Sequence, residues 1–127
     1  MVPSAIQKVK STHGTDLFER GIALFNRQAF FECHEVLEEL WQPQRGARRL
    51  FLQSVIHLAV GFYHYGRGNP DGARRQLRKG LKKLAGYLPD FDAVNTAQLY
   101  REAGACLEEI SSGRSLLRFP QIRRLTS

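Results

Sequence analysis

Apolar residues recur at helical spacing along nearly the whole chain, and no segment alternates apolar and polar residues as a half-buried strand would. This pattern excludes a sheet-based core and predicts an all-α fold. Proline, glycine and capping residues divide the pattern into five predicted helices, at about 16–26, 30–42, 47–65, 69–87 and 95–111. We expect a compact bundle in which the first four helices form two antiparallel hairpins.

The size of the chain predicts one helical domain over residues 1–127, with a polar N-terminal arm at 1–15 and a C-terminal arm at 114–127. Its 127 residues are 43% hydrophobic, enough to bury a core. The longest weakly polar stretch, 50–65, is interrupted by polar residues and is too short to span a membrane. The start of the chain lacks the apolar region of a secretory signal. Because Cys33 and Cys106 form no disulfide framework, we expect a cytoplasmic protein.

Two segments 40 residues apart resemble each other: FNRQAFFECHEVLEELW from residue 25 and YGRGNPDGARRQLRKGL from residue 65. The equivalent pairs are Cys33 and Ala73, Leu37 and Leu77, and Trp41 and Leu81. This echo predicts two stacked helical hairpins of the tetratricopeptide kind. The alternative is that any two amphipathic helices would align this well, and two copies are fewer than a solenoid normally has.

Positive charge is concentrated in the second half of the chain, which contains 12 cations and 6 anions. The net charge of the whole chain is +7. The fourth predicted helix carries six of these cations: Arg74, Arg75, Arg78, Lys79, Lys82 and Lys83. Such a stripe can bind nucleic acid, anionic lipid or an acidic partner. The alternative is a solvated surface that lies partly against the acidic second helix. No aromatic residues interleave with the cations, so a platform for base stacking is not expected.

The second predicted helix places a histidine and a carboxylate one turn apart at the edge of its apolar stripe. His34 and Glu38 have i, i+4 spacing, which can hold one metal ion or let the carboxylate orient the imidazole as a base. Glu35 is the candidate catalytic base beside them. An ordinary half-buried histidine with a hydrogen-bond partner fits the same pattern.

The third predicted helix confines Gln53, His57 and His64 to a narrow arc of an otherwise apolar surface. If residues equally far from the intervening turn share a height, His34 lies level with about Gln53 to Val55. We therefore expect His34, Glu38, Gln53 and His57 to meet. One divalent metal ion is the possible cofactor, with His34, Glu38 and His57 as ligands. His64 lies about 10 Å along the helix from His57, too far for the same ion.

The run His-Glu-x-x-Glu-x-x-Trp at 34–41, followed by Gln53, Ala59, His64 and a Gly-Asn turn, resembles a family of small prokaryotic helical proteins, domain of unknown function 309. The resemblance covers about residues 25–84. It implies a compact all-α bundle and no assigned activity. The candidate binding residues that it implies are His34, Glu35, Glu38, Trp41, Gln53 and His64. This chain has Cys33 where alanine is usual and His57 where glutamine or an aliphatic residue is common, so a family-wide site would not depend on His57.

Three functions remain open from the sequence. The first is a non-catalytic interaction module, with a buried His/Glu/Gln network that fixes the hairpins and an outer surface that binds a protein partner or a second copy. The second is a metal-binding protein or metal-dependent hydrolase using His34 and Glu38, with Glu35 as base. The third is nucleic-acid binding through the basic fourth helix.

Overall fold

The computed structural model describes residues 14–125, and α-helices form most of this part of the chain. The helices are α1 (Gly14–Asn26), α2 (Phe30–Trp41), α3 (Gly46–Gly66), α4 (Pro70–Leu84) and α5 (Thr96–Ser111), with a 3₁₀ turn at Ala85–Tyr87. Between residues 14 and 125 no β-strand forms beyond isolated bridges. The all-α prediction is confirmed, and the predicted helix ends differ from the observed ones by at most about three residues. The predicted N-terminal arm lies almost wholly outside the described residues.

Helix α3 is the centre of the bundle. Consecutive helices pack against each other, and α3 packs against both α2 and α4. Its buried side chains, with those of the other helices, form one continuous apolar core that includes Phe25, Phe51 and Phe62. None of the helices between residues 14 and 125 is long and apolar enough to cross a bilayer.

The loop between α1 and α2 has the same backbone as the loop between α3 and α4. Gln28 and Gly68, 40 residues apart, both have a positive φ, of 65° and 76°. The next residues, Ala29 and Asn69, each donate the backbone N–H to the carbonyl five positions earlier, over 2.9 Å in both loops. Glycine takes this left-handed conformation without strain, whereas Gln28 carries a side chain there.

The packing inside the two hairpins also repeats. A Cβ atom placed on Gly21 of α1 would lie 2.5 Å from Cδ2 of Leu37, and one placed on Gly61 of α3 would lie 2.9 Å from Cδ2 of Leu77. In each hairpin, therefore, a glycine on the first helix makes room for a buried leucine on the second. The echo in the sequence is a structural repeat, α1–α2 followed by α3–α4. Its likeness to tetratricopeptide repeats stays a prediction.

The segment after α5, which the sequence predicts as an arm, packs back on the core. The Phe119 ring lies 5.6 Å from the rings of both Phe30 and Phe62. The side chain of Asn26 accepts the N–H of Ile122 over 2.7 Å and donates to the Ile122 carbonyl over 3.0 Å. This clasp joins residues 96 positions apart and closes the bundle over the end of α1.

Candidate functional site

The outer surfaces of α2 and α4 carry opposite charges at equivalent positions of the repeat. Helix α2 contains no lysine or arginine, whereas α4 contains six cations and one carboxylate. Three exposed pairs show the reversal: Glu35 and Arg75, Glu38 and Arg78, and Glu39 and Lys79. The loop conformation and the glycine–leucine contact are shared by the two hairpins, whereas the charge of the outer surface is reversed.

Most cations of α4 have no counterion in the part of the chain that the structure describes. Arg74 forms an ion pair with Asp71 one turn earlier. Within residues 14–125, no ion pair involves the other five: Arg75, Arg78, Lys79, Lys82 and Lys83. None of the observed ion pairs joins α4 to α2, because α3 lies between these helices. Of the alternative interpretation, a solvated surface that lies partly against the acidic second helix, the solvated part agrees with the exposure of Arg75, Arg78, Lys79 and Lys82, whereas no ion pair to α2 is observed within residues 14–125.

His57 lies on the side of α3 that faces α4. Its Nδ1 is 2.8 Å from Oε1 of Gln76, and it donates this hydrogen bond in the tautomer that carries the proton on Nδ1. Burial lowers the pKa of His57; the bond to Gln76 opposes this effect, and the positive charges of Lys83 and Lys79 add to it. The imidazole is therefore held neutral beside the cations of α4.

His34 and Glu38 lie side by side at the surface of α2, with Nε2 and Oε2 3.4 Å apart. The side chain of His34 is 26% exposed and that of Glu38 is 51% exposed. Glu35 is exposed as well. The predicted buried His/Glu/Gln network is therefore wrong, because its carboxylate is in solvent and His57 pairs with α4 instead.

His34 lies level with Val60 of α3, and not with Gln53 as the sequence predicts. His34 and Val60 line the same pocket, and the rings of Phe31 and Tyr63, one turn away on each helix, have centroids 5.3 Å apart. Gln53 is half-buried and lies about 10 Å from Val60 along the helix.

In this register about two turns of α3 extend past the end of α2. The Arg49 guanidinium lies 3.9 Å from the centroid of the Trp41 ring and donates to the backbone carbonyls of Trp41 and Gln42. Arg49 thus satisfies carbonyls that the end of a helix leaves unpaired. The Trp41 ring is fixed beside it, with a buried Nε1 that has no hydrogen-bond partner among the described residues.

The predicted metal ligands are not brought together. Within residues 14–125 no group of three or more His, Cys, Asp or Glu side chains could hold a metal ion. His34 and Glu38 lie on α2, whereas His57 is turned toward Gln76 of α4. A metal-bound or catalytic role for these residues and Glu35 stays a prediction without an assembled site.

Cys33 is a core residue of α2. It is fully buried, and burial raises the pKa of its thiol to about 12. The thiolate that nucleophilic attack needs is therefore absent at neutral pH.

His64, which the sequence sets apart from the other candidates, shares a pocket with His34. This pocket, of about 150 Å³, lies between α2 and α3 and is lined by Phe31, His34, Val60, Tyr63 and His64. Nδ1 of His64 is 3.5 Å from the side-chain nitrogen of Asn69, the cap of α4. The signal that could have located the pocket is an aromatic residue near each histidine, with Phe31 one turn before His34 on α2 and Tyr63 directly before His64 on α3.

A larger groove, of about 640 Å³, lies between α5 and residues 116–123. Both carboxylates in its wall are already engaged. Glu102 accepts the Gln121 backbone N–H over 3.0 Å, and Glu109 accepts from Arg114 over 3.0 Å. None of the site residues predicted from the sequence lies in this groove.

The comparison with known proteins confirms the resemblance to a family of undefined activity. The model described as "Domain of unknown function (DUF309)" matches residues 18–76, from α1 into the first half of α4. The match includes the whole pocket between α2 and α3. It ends before four of the cations of α4: Arg78, Lys79, Lys82 and Lys83.

Two curated relatives are both described as uncharacterized. The protein YpuF of Bacillus subtilis (strain 168) is 40% identical over 57 residues, which cover 43% of this chain and 32% of the relative. A protein of Aquifex aeolicus (strain VF5) is 21% identical over 109 residues, 85% of this chain and 32% of the relative. The chain therefore spans about a third of the length of these relatives, and neither name indicates catalysis or a defined role.

Proposed function

We propose that the protein is a non-catalytic binding module whose ligand is double-stranded nucleic acid, bound by the outer surface of α4. One observation carries this proposal: five cations of α4 have no ion pair within the described residues. The cytoplasm is the proposed location, supported by two free, buried thiols, Cys33 and Cys106.

The spacing of the exposed cations suits a phosphate backbone. On α4, the side chains of Arg75, Arg78, Lys79 and Lys82 lie within an arc of about 100° and a rise of about 10 Å. Duplex DNA carries one charge per about 1.7 Å of its axis, so a row of this length meets several phosphates. Because these cations form no ion pair with residues 14–125, binding breaks none of the described ion pairs, and the released counterions favour the complex.

The surface favours backbone contacts over base recognition. The exposed positions of α4 carry no aromatic side chain on which an unpaired base could stack. The exposed ring of Phe31 belongs to α2, the acidic helix that repels phosphate. We therefore expect sequence-independent binding to a duplex.

The test is fluorescence anisotropy with a labelled DNA duplex of mixed sequence, titrated with the protein at several salt concentrations. We expect the affinity to fall by roughly 150- to 500-fold between about 50 and 200 mM salt, as four to five phosphate contacts require. The variant Arg75→Glu/Arg78→Glu/Lys82→Glu should lose binding throughout this range.

The control carries the same change of net charge at exposed sites outside α4: Arg20→Glu/Arg45→Glu/Arg101→Glu. This control should retain most of its affinity if α4 is the binding surface. Equal losses in the two variants would mean that net charge alone attracts the duplex, and absence of binding at low salt would refute the proposal.

A further inference from the structure

We propose that the pocket between α2 and α3 is a second binding site, which receives one aliphatic side chain of a basic segment from another protein. Glu35 and Glu38 would bind the cations of that segment. This site is separate from the outer surface of α4 and does not depend on nucleic-acid binding.

The walls of the pocket are rings. Phe31 and His34 approach from α2, with ring centroids 5.7 Å apart, and Tyr63 and His64 approach from α3, with centroids 6.1 Å apart. Val60 completes the lining. Phe31 is 44% exposed although it is a large apolar side chain, so the pocket opens to solvent beside an apolar rim.

The volume of the pocket indicates the kind of ligand that it can hold. The pocket holds about 150 Å³, whereas sites for drug-sized molecules and cofactors hold about 300 to 1,000 Å³. Liquid water occupies about 30 Å³ per molecule, so one aliphatic side chain would displace several waters from an apolar surface. A single anchoring side chain fits this space better than a whole small molecule does.

The negative charge beside the pocket indicates which residues flank the aliphatic side chain of the ligand. Glu38 lies one turn from His34, and its side chain is 51% exposed, so it is open to a second hydrogen bond. Glu35 is exposed on the next turn back, and α2 has no cation of its own. Lysine or arginine flanking the anchor would therefore meet carboxylates on the rim.

A second copy of this chain is a poor occupant. Two copies with a net charge of +7 repel each other. The basic helix α4 has no exposed aliphatic side chain to offer as an anchor. Leu117, which is 95% exposed between Arg114 and Arg118, has the chemistry of the anchor, so only the net charge opposes a second copy. The proposed partner is a different protein with an aliphatic residue between basic residues, and binding of a second copy is an outcome that the test distinguishes.

The test is a titration of the ¹⁵N-labelled protein, observed by NMR, with three short peptides. The first has a central leucine flanked by lysine and arginine, the second has alanine in place of leucine, and the third has glutamate in place of the cations. We expect the first peptide to shift the amides of Phe31, His34, Val60, Tyr63 and His64, and to bind about tenfold more tightly than the second. The third should not bind.

Variants separate the contribution of the apolar pocket to peptide affinity from that of the carboxylates of α2. Val60→Trp should fill the pocket and remove the advantage of leucine over alanine, and Phe31→Ala is the second variant if Val60→Trp loses spectral dispersion. Glu35→Gln/Glu38→Gln should weaken both basic peptides several-fold. The matched change on the other hairpin, Arg75→Gln/Arg78→Gln, should not weaken either of them.

Equal affinity for the leucine and alanine peptides would overturn the proposal, since charge attraction alone would then explain binding. Shifts centred on the groove between α5 and residues 116–123 would overturn it as well. Shifts of the pocket amides with protein concentration alone would show that a second copy occupies the site, contrary to the proposal.

Discussion

The two hairpins of this protein share a loop conformation and a glycine–leucine contact but carry opposite surface charge. Each is built on a glycine that faces a buried leucine and on a loop residue with positive φ, at positions 40 apart. Outside these internal positions, Glu35 and Glu38 of the first hairpin are replaced by Arg75 and Arg78 in the second. The comparison shows that a few internal contacts fix the hairpin, whereas the surface can specialise, so we place two different binding sites on the two hairpins.

The largest expected effect is the loss of stability when the buried leucine of either hairpin is truncated. It tests whether both hairpins depend on the same glycine–leucine contact. Leu37 and Leu77 are both almost completely buried against the glycine of their own hairpin. Leu37→Ala and Leu77→Ala should each lower the free energy of unfolding by about 3 kcal/mol, because each leaves a cavity. Urea denaturation measures both. A loss below about 1 kcal/mol in only one of them would break the equivalence of the hairpins.

Exchanging the surface charge is the next test. Glu35→Arg/Glu38→Arg/Glu39→Lys gives α2 the cations that α4 carries at the equivalent positions. We expect duplex affinity to rise at least tenfold and the salt dependence to steepen by about 2 to 3 in slope. Glutamine at the same three positions is the control, and it should give a smaller gain. An unchanged salt slope in the arginine variant would show that the shape of the hairpin does not support phosphate binding.

A smaller difference should separate the two glycines. A Cβ on Gly61 would lie 3.3 Å from the backbone carbonyl oxygen of Ala73, whereas on Gly21 its nearest contacts are all with the side chain of Leu37. A leucine side chain can rotate and a helix backbone cannot. Gly61→Ala should therefore destabilise the protein by about 1 to 2 kcal/mol, and Gly21→Ala by less, since alanine favours a helix by up to about 1 kcal/mol. Thermal or urea unfolding that shows the reverse order would contradict this reasoning.

The smallest expected effect concerns His57, which has a lowered pKa in the second hairpin. As the pH falls from the ordinary pKa of histidine toward the lowered pKa of folded His57, the unfolded chain binds a proton that the folded chain does not. The free energy of unfolding should therefore decrease over this pH window. Phosphates bound near Lys79 and Lys83 should raise the pKa of His57, and duplex binding should therefore tighten at lower pH. NMR titration of the imidazole with and without duplex measures this shift. His57→Gln should remove the pH dependence, and an unchanged pKa at saturation would place the duplex elsewhere.

The helices and their pairing could be predicted because they depend on local signals. The helical spacing of apolar residues, Pro43 after α2 and the Asn69-Pro70 start of α4 set the ends of the elements. The echo at 40 residues also predicted equivalent positions, such as Leu37 and Leu77, that the structure confirms. These signals place residues on helices and on faces of helices.

The site could not be predicted in the same way, because it depends on how far one helix slides along another. Counting from the turn placed His34 beside Gln53, but Arg49 on the Trp41 ring lets α3 extend past the end of α2. The resulting offset puts His34 beside Val60 and turns His57 toward α4. Loop length does not fix this offset, which is decided by side-chain packing over the whole interface.

The clasp between Asn26 and Ile122 affects how the chain can fold during its synthesis. Residues 119–122 complete the surroundings of Asn26 and Phe30, which leave the ribosome about 90 residues earlier. Until that late segment emerges, the first hairpin keeps an apolar side and the polar groups of Asn26 without their final partners. We therefore expect the bundle to reach its native state only after translation has passed residue 122, and not one hairpin at a time.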